Sequence, residues 1–268
     1  MACIIPIYEM KIEVAPTRHD DLNKVSVYQA ELARIPAQWL ESFYHSLSTE
    51  ERSRANRFVK REDRVGHVIT YGLLRLILSH HCQLQPKEIQ IHRSAWGRPY
   101  ITKRDIHFNL SHTKKLLVIA IAHHEIGIDI EYVDTKFALQ EVIELVLTKA
   151  EQCALAHTPI DKQQEKFFEY WTAKEAVLKL MGTGFRRDPK TFQIIDGQVH
   201  LSGMDNQVRI VLTPLRLTKR HFTGYVAYTH RGSQVPIVYK VIHDSGTLEK
   251  VGCISEFVTS LGAEIMSA

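Results

Sequence analysis

The spacing of apolar residues changes several times along the chain, and these changes predict an α+β fold. Apolar side chains recur at helical spacing over Asp63–His81, Phe137–Leu147 and Glu165–Met181, which is typical of helices with one buried face. Alternation over Ile106–Ser111 predicts a strand with two different faces. The nearly continuous apolar run Leu116–Ala122 predicts a strand buried on both faces. Shorter strands are predicted at Tyr8–Val14, Phe192–Ile195, Val199–Leu201, Val208–Leu212, Tyr225–Tyr228 and Ile237–Val241.

Two capping boxes mark helix starts in the polar stretches between these elements. Ser48 with Glu51 predicts a helix that continues through Arg61, and Thr148 with Glu151 predicts a second helix. The segment Asp20–Arg34 is predicted to be a polar connection or a helix. No pattern within residues 1–36 indicates a function.

The predicted strand Ile126–Glu131 carries two acids, Asp129 and Glu131. Because side chains alternate across a strand, these two carboxylates project from the same face. Such acids are ordinarily solvated or ion-paired. Carboxylate oxygens are also the ligands that a hard divalent cation such as Mg2+ takes.

The helix predicted over Glu165–Met181 adds a third carboxylate, Glu175, between Lys174 and Lys179. The i,i+4 spacing of Glu175 and Lys179 fits a routine helix ion pair. Three acids around a divalent cation, with lysines for phosphate oxygens, would instead fit phosphoryl transfer. This combination leaves open both a phosphotransferase and a metal-dependent nuclease or phosphodiesterase.

Composition and charge narrow the class of protein. The chain has 268 residues, 44% of them hydrophobic, which is enough for one large domain or two modest ones. It shows no apolar run of transmembrane length and no signal-peptide pattern, so we expect a cytoplasmic protein without a membrane anchor. Its 4 isolated cysteines fit a reducing compartment. The net charge of +4 fits an anionic ligand or acidic partner and is too small to indicate nucleic acid.

Short motifs follow one another in order from about Leu47 to about Tyr228. They are Leu47–Arg52 with Arg57-Phe58 and Glu62-Asp63, Trp96-Gly97-Arg98-Pro99-Tyr100, Phe108–His112, Gly127–Glu131, and Phe168–Ala176 with Lys179 and the Gly182–Gly184 turn. Each motif is weak by itself, but their order and spacing are very specific. In these motifs the chain resembles the Sfp-type 4'-phosphopantetheinyl transferases.

The resemblance implies roles for the three acids and the two lysines. Asp129, Glu131 and Glu175 would bind Mg2+ or Mn2+, and either Glu175 or a hydroxide on the metal would accept a proton. Lys174 and Lys179 would contact the phosphates of coenzyme A, and Lys179 would also stabilise charge during catalysis.

The resemblance implies further coenzyme A contacts in the first half of the chain. Ser111 and His112 would lie at its phosphates, with His112 at the 3'-phosphate, and Arg98 would lie near the nucleotide. Arg54 occupies a position where a phosphate-binding lysine is common, so the charge is kept while the geometry changes. Glu151 matches an acid that can reach the metal through water.

The resemblance also implies an architecture and a reaction. Two similar α/β-sheet halves, residues 1–124 and 125–235, would be related by a pseudo-twofold axis with the active site at their seam, and residues 236–268 would form a peripheral extension. A monomer would transfer 4'-phosphopantetheine from coenzyme A to a serine of an acidic apo acyl or peptidyl carrier protein. A non-catalytic module that binds coenzyme A or a carrier protein is the remaining alternative. It would be expected if one of the three acids were missing, and none is.

Overall fold

The protein is described by a computed structural model over residues 24–102, 105–201, 209–230 and 235–242. Its α-helices are α1 (Trp39–Ser46), α2 (Thr49–Arg57), α3 (Arg61–Cys82), α4 (Gln140–Val146), α5 (Lys149–Ala156) and α6 (Ile160–Leu180). Its strands are β1 (Val25–Glu31), β2 (His92–Arg93), β3 (Pro99–Tyr100), β4 (His107–Thr113), β5 (Leu116–Ala122), β6 (Ile126–Tyr132), β7 (Phe192–Ile195), β8 (Gln198–Leu201), β9 (Arg209–Pro214), β10 (Phe222–His230) and β11 (Ile237–Ile242). Short 3-10 turns lie at Leu32–Arg34, Pro86–Glu88, Gly184–Arg186 and Pro189–Thr191.

The first sheet has the strand order β11-β1-β5-β4, with β1 and β11 parallel and the other pairs antiparallel. Helices α1 and α3 cover one face of this sheet, where Trp39, Phe43, Leu73 and Phe108 are buried together. Strand β11 is the predicted strand Ile237–Val241, and it forms the edge of this sheet. The predicted peripheral extension of residues 236–268 thus begins with a strand that belongs to the first sheet. The division of the chain at residue 236 stays a prediction, and residues 243–268 lie outside the described residues.

The second sheet has the strand order β6-β10-β9, and helix α6 packs on β6 and β10. Gly127 in β6 makes this packing very close, because a Cβ atom there would lie 2.1 Å from the carbonyl oxygen of Ala176 and 2.3 Å from the amide nitrogen of Leu180. A further apolar cluster is shared by both sheets, with Val27 and Val118 from the first and Ile128 from the second.

The same buried ion pair occurs once in each part of the chain. Each begins with a glutamate that closes a capping box, Glu51 in α2 and Glu151 in α5. Glu51 accepts from Arg75 of α3 at 2.7 Å, and Glu151 accepts from Lys174 of α6 at 3.0 Å. Each cation then binds two carbonyl oxygens of a following segment: Pro86 and Ile89 in the first case, Pro189 and Phe192 in the second.

Most of the predicted elements are confirmed, and the α+β class with them. Two segments were predicted wrongly. The helix expected to continue to Arg61 ends at Arg57, and the chain turns before α3 begins. Part of Asp20–Arg34 forms β1, in which Val25–Ala30 are buried although half of them are polar or small. The strand predicted at Tyr8–Val14 lies outside the described residues. Within the residues that are described, no helix is long and apolar enough to cross a membrane.

Replacing Gly127 by alanine should separate α6 from β6, because the added methyl group would overlap the helix backbone. We expect the free energy of unfolding to fall by at least about 2 kcal/mol, measured by urea denaturation. Gly66→Ala in α3 is the matched control, since its Cβ would meet only Leu32 Cδ1 at 3.8 Å. Equal stability of the two variants would contradict the close packing at Gly127.

Candidate active site

Strand β4 meets β6 through its side chains, and this contact joins the two sheets. The polar positions of β4 alternate, so one face of the strand points to β6. The contacts are His107 Nδ1 to Glu125 Oε1 (3.4 Å), Ile128 N to Asn109 Oδ1 (3.0 Å), Ser111 Oγ to Asp129 Oδ1 (2.8 Å) and Thr113 to Glu131. The acids of β6 are therefore held from the first sheet as well as from their own.

Asp129 lies at the centre of this contact and is 4% exposed. Its Oδ1 accepts hydrogen bonds from Ser111 Oγ and, at 2.7 Å, from Lys179 Nζ. Its Oδ2 is buried and meets no hydrogen-bond partner in the described part of the chain. Burial raises the pKa of Asp129, while Lys179 and Ser111 lower it. An oxygen in this state favours a cation as its partner.

The pKa of Glu175 is also raised by its surroundings. Burial first, and then the charges of Asp129 and Glu131, raise its pKa to about 7, against the lowering effect of Lys179. Burial and Asp129 likewise raise the pKa of Glu131. The three carboxylates repel one another, so a cation would stabilise all three in their charged form.

Helix α6 delivers Glu175 and Lys179 to the site from one of its faces, because residues four apart lie one turn above each other. The ion pair of Lys179 is made with Asp129 of the neighbouring strand β6 and not with Glu175 of its own helix. The helix ion pair that the spacing allowed is therefore replaced by a contact between elements, which sequence spacing does not show.

A cavity of about 310 Å³ adjoins these acids on one side. It is lined by Tyr71, Arg93, Trp96, Gly97, Arg98, Pro99, Asn109, Leu110, Lys179, Gly182 and Gly184. A second cavity of about 450 Å³, near Cys82 and Ile89, is larger but contains none of the predicted site residues. We assign the site to the smaller cavity, because the cationic side chains and Lys179 converge there.

Arg98 lines this cavity, and its guanidinium also binds residues of the second part of the chain. It donates to the carbonyl oxygens of Leu180 and Ile126 at 3.0 Å each and pairs with Glu125 at 2.9 Å. Gly182, with φ +70°, ends α6 beside it, where a Cβ atom would lie 3.4 Å from the Arg98 Nη1 atom. The prediction of Arg98 near a nucleotide fits this position.

His112 and Arg54 lie at different distances from the acids. His112 is exposed, but desolvation of its ring and the charge of Lys179 lower its pKa. Arg54 pairs with Glu50 at 2.9 Å on α2. It is near enough to His67 to lower the pKa of that residue, and His67 stacks on Tyr71 at 4.6 Å. Arg54 is not among the residues that line the cavity.

The donor set suits a hard divalent cation. All three side chains are carboxylates, which Mg2+ prefers, and the buried Oδ2 of Asp129 has a free lone pair. Among the described residues, no group of three or more His, Cys, Asp or Glu side chains is arranged to hold a metal ion by itself. Lys179 already contacts the other Asp129 oxygen. A cation would therefore rely on Asp129, Glu131 and Glu175 together with oxygens of a bound ligand.

Several residues that build the site were not among the predicted site residues. Asn109 ties β4 to β6, Gly127 admits α6, and Arg93 and Tyr71 line the cavity. Asn109 was accessible to sequence reasoning, because the alternation of β4 places it on the same face as Ser111. The cavity positions of Arg93 and Tyr71 carry no local signal.

Comparisons with known proteins lead to one family. A family model described as the 4'-phosphopantetheinyl transferase superfamily matches residues 125–227, and one described as the N-terminal part of such transferases matches residues 34–124. The 4'-phosphopantetheinyl transferase Sfp of Bacillus subtilis is 31% identical over 170 residues, which cover 62% of this chain and 75% of that protein. The chain belongs to the 4'-phosphopantetheinyl transferase superfamily.

Other relatives of this superfamily member are similarly distant. The 4'-phosphopantetheinyl transferase HetI of Nostoc sp. is 32% identical over 157 residues, which cover 57% of this chain and 66% of that protein. The solved structure of holo-ACP-synthase from Plasmodium yoelii is 20% identical and covers 41% of this chain and 95% of its own, with a TM-score of 0.32. A score this low carries no argument about the fold.

Two of the residues that the resemblance assigned to coenzyme A and the metal lie elsewhere in this member of the superfamily. Lys174 is 1% exposed and binds Glu151 and the carbonyl oxygens of Pro189 and Phe192. Glu151 is also 1% exposed, and its second oxygen accepts from Ile194 N at 2.8 Å. Lys174 leaves α6 on a different side from Glu175 and Lys179, so in this structure Lys174 and Glu151 pair with each other away from the three carboxylates. Their roles at coenzyme A and the metal stay predictions.

Ser111 is also placed differently from the prediction. Its buried hydroxyl donates a hydrogen bond to Asp129, so in this structure Ser111 orients a candidate metal ligand.

The raised pKa of Glu175 predicts a particular dependence of stability on pH. The folded state favours the protonated form of Glu175. The contribution of Glu175 to stability is therefore fully present below the pKa of the unfolded chain, near 4.5, and is lost as the pH rises through the folded-state pKa of about 7. Without a divalent cation, Glu175→Gln should therefore be more stable than the wild type at pH 8, by up to about 3 kcal/mol, and equal to it near pH 4.5. Urea denaturation at the two pH values measures this, and a constant difference would contradict it.

The structural role of Lys174 predicts a loss of stability on its removal. Lys174→Met leaves Glu151 buried without its cation, and we expect a cost of about 3–5 kcal/mol, part of which Glu151→Gln should restore in the double variant. Lys166→Met on the same helix is the control, because the Lys166 side chain is 42% exposed and pairs with Glu169 at the surface, so its loss should cost less than about 1 kcal/mol. An unchanged Tm for Lys174→Met would contradict this structural role and would favour the predicted contact of Lys174 with coenzyme A.

Proposed function

We propose that the chain transfers the 4'-phosphopantetheinyl group of coenzyme A to a serine hydroxyl of an apo acyl or peptidyl carrier protein. The observation that carries this proposal is the meeting of three mutually repelling carboxylates with Lys179 at one end of a cationic cavity. The proposed products are the holo carrier protein and adenosine 3',5'-bisphosphate.

The cavity would hold the nucleotide and phosphates of coenzyme A. Arg93, Arg98 and Lys179 line it, and cations of this kind bind phosphate oxygens strongly. The exposed aromatic ring of Trp96 forms its rim, with Arg186 at 4.5 Å from the ring centre. We assign the 3'-phosphate to His112, which would bind it through a ring N–H.

Asp129, Glu131 and Glu175 would hold Mg2+ at the pyrophosphate. When bound, the ion neutralises charge on the pyrophosphate and favours departure of the nucleotide. Ser111 and Lys179 hold Asp129 through its Oδ1, while Oδ2 has no hydrogen-bond partner among the described residues and would be available to the ion.

Glu175 would accept the proton of the acceptor serine. With the cation in place Glu175 would be ionised, because a cation favours the charged form of the carboxylates around it, and an ionised carboxylate can accept a proton from a hydroxyl within hydrogen-bond reach. The serine oxygen then bonds to the phosphorus that carries pantetheine, and the bond from this phosphorus to the oxygen of the leaving nucleotide breaks. Lys179 would stabilise the charge that develops on the leaving phosphate.

Replacing Asp129 should abolish transfer with little change in the fold. We expect Asp129→Asn to lower the transfer rate about 100- to 1000-fold, since the substitution keeps the shape of the side chain but removes its charge. Intact mass of an apo carrier protein after incubation with coenzyme A and Mg2+ measures the transfer as one added phosphopantetheine per chain.

Asp161→Asn is the control for this experiment, because Asp161 is an exposed acid at the start of α6 and should transfer normally. Full activity of Asp129→Asn would contradict the assignment of Asp129. Hydrolysis of coenzyme A or nucleic acid by the wild type, with no mass gain on any carrier protein, would favour the phosphodiesterase alternative.

A further inference from the structure

The turn between β4 and β5 has an unfavourable sequence for its shape. Lys114 and Lys115 form this two-residue turn, with φ +43° and +67°. Both angles lie in the left-handed region, which side chains with a Cβ atom rarely adopt, and turns of this kind favour Asn-Gly or Asp-Gly. The chain uses the favoured pair in its other two-residue hairpin, where Asp196 and Gly197 have φ +48° and +74°.

The lysine pair lies at the end of β4 that is farthest from the cavity. Along β4, Asn109 lines the cavity, Ser111 binds Asp129, and Thr113 binds Glu131. Lys114 comes next, about 10 Å beyond Ser111 at the usual rise of a strand. The candidate metal site therefore lies between the cavity and the turn.

The surroundings of the turn are cationic and partly aromatic. Lys114 Nζ lies 5.5 Å from the centre of the Tyr132 ring, and Tyr132 contacts Phe222 edge-on at 5.3 Å. Arg220 lies two residues before Phe222 in the loop between β9 and β10. The nearby acid Glu31 already pairs with Arg34 and Lys219. No carboxylate of the described residues forms an ion pair with Lys114, Lys115 or Arg220.

The chemistry of transfer decides which ligand meets this surface. In phosphoryl transfer, the attacking and leaving oxygens lie roughly in line on opposite sides of the phosphorus. If the leaving nucleotide occupies the cavity, the acceptor serine must approach from the side of the turn. We propose that Lys114 and Lys115 dock the carrier protein, by contact with acidic residues beside its acceptor serine. This inference rests on the proposed function.

The test replaces the lysines by the favoured turn sequence. Lys114→Asn with Lys115→Gly should raise Tm by about 2–4 °C, because the strained positions are relieved. The same variant should lower kcat/KM for the carrier protein about 10-fold, with an unchanged KM for coenzyme A, and the deficit should shrink at high salt. A higher Tm together with a lower kcat/KM for the carrier protein would show that the lost activity comes from weaker docking and not from a loss of folded protein.

Two matched variants complete the design. Lys114→Arg with Lys115→Arg keeps the charge and should keep kcat/KM for the carrier protein within about twofold. Asp196→Lys with Gly197→Lys places the unfavourable pair in the other hairpin and should lower Tm without a change in transfer.

The proposal would be overturned by unchanged kcat/KM for the carrier protein in the Asn-Gly variant, or by an equal loss in the arginine variant. A rise in KM for coenzyme A alone would also overturn it, since the lysines would then belong to the coenzyme site. If the wild type modifies no carrier protein, the proposed function itself fails, and the docking role fails with it. The assay of the wild type alone separates this outcome from a failure of the docking role.

Discussion

The side-chain contact between β4 and β6 is the interaction on which the candidate site depends. The Asn109 side chain accepts a hydrogen bond from the backbone N–H of Ile128 in β6, and the Ser111 hydroxyl donates to Asp129. A buried backbone N–H without a partner is costly, so Asn109 helps to fix the register of the two strands. Because Asp129 and Glu131 lie on β6 itself, the same contact that joins the sheets also aligns these two carboxylates with Lys179. Stability and geometry are therefore coupled at the seam.

The two parts of the chain share a structural device but not its chemistry. Each has a buried glutamate held by a cation of its long helix, Arg75 in α3 and Lys174 in α6. The next residue along α3 is Leu76, which is buried in the core, whereas the residue after Lys174 in α6 is Glu175. In α6, the candidate catalytic acid Glu175 therefore follows directly after Lys174, whose contacts are structural.

The local patterns predicted the helices, the strands and the acids of β6 well. Periods of apolar residues report which face of an element is buried, and i,i+2 spacing placed Asp129 and Glu131 together. They missed β1 and the partner of Lys179. Strand β1 is buried with polar residues such as Ser26 and Gln29, so its composition looks like a connection. Lys179 pairs with an acid 50 residues away, and no spacing rule within one helix can show this.

The sequence by itself determined the class of fold, the superfamily and the types of side chain that the site requires. Tertiary structure alone decided which of those side chains converge. Lys174 and Lys179 have the same charge on the same helix, yet one is buried against Glu151 and the other reaches Asp129. The physical reason is that a side chain's direction follows from its helix face, while its partner is set by what the fold packs against that face. The strain at Lys114 and Lys115 is likewise visible only in the folded turn.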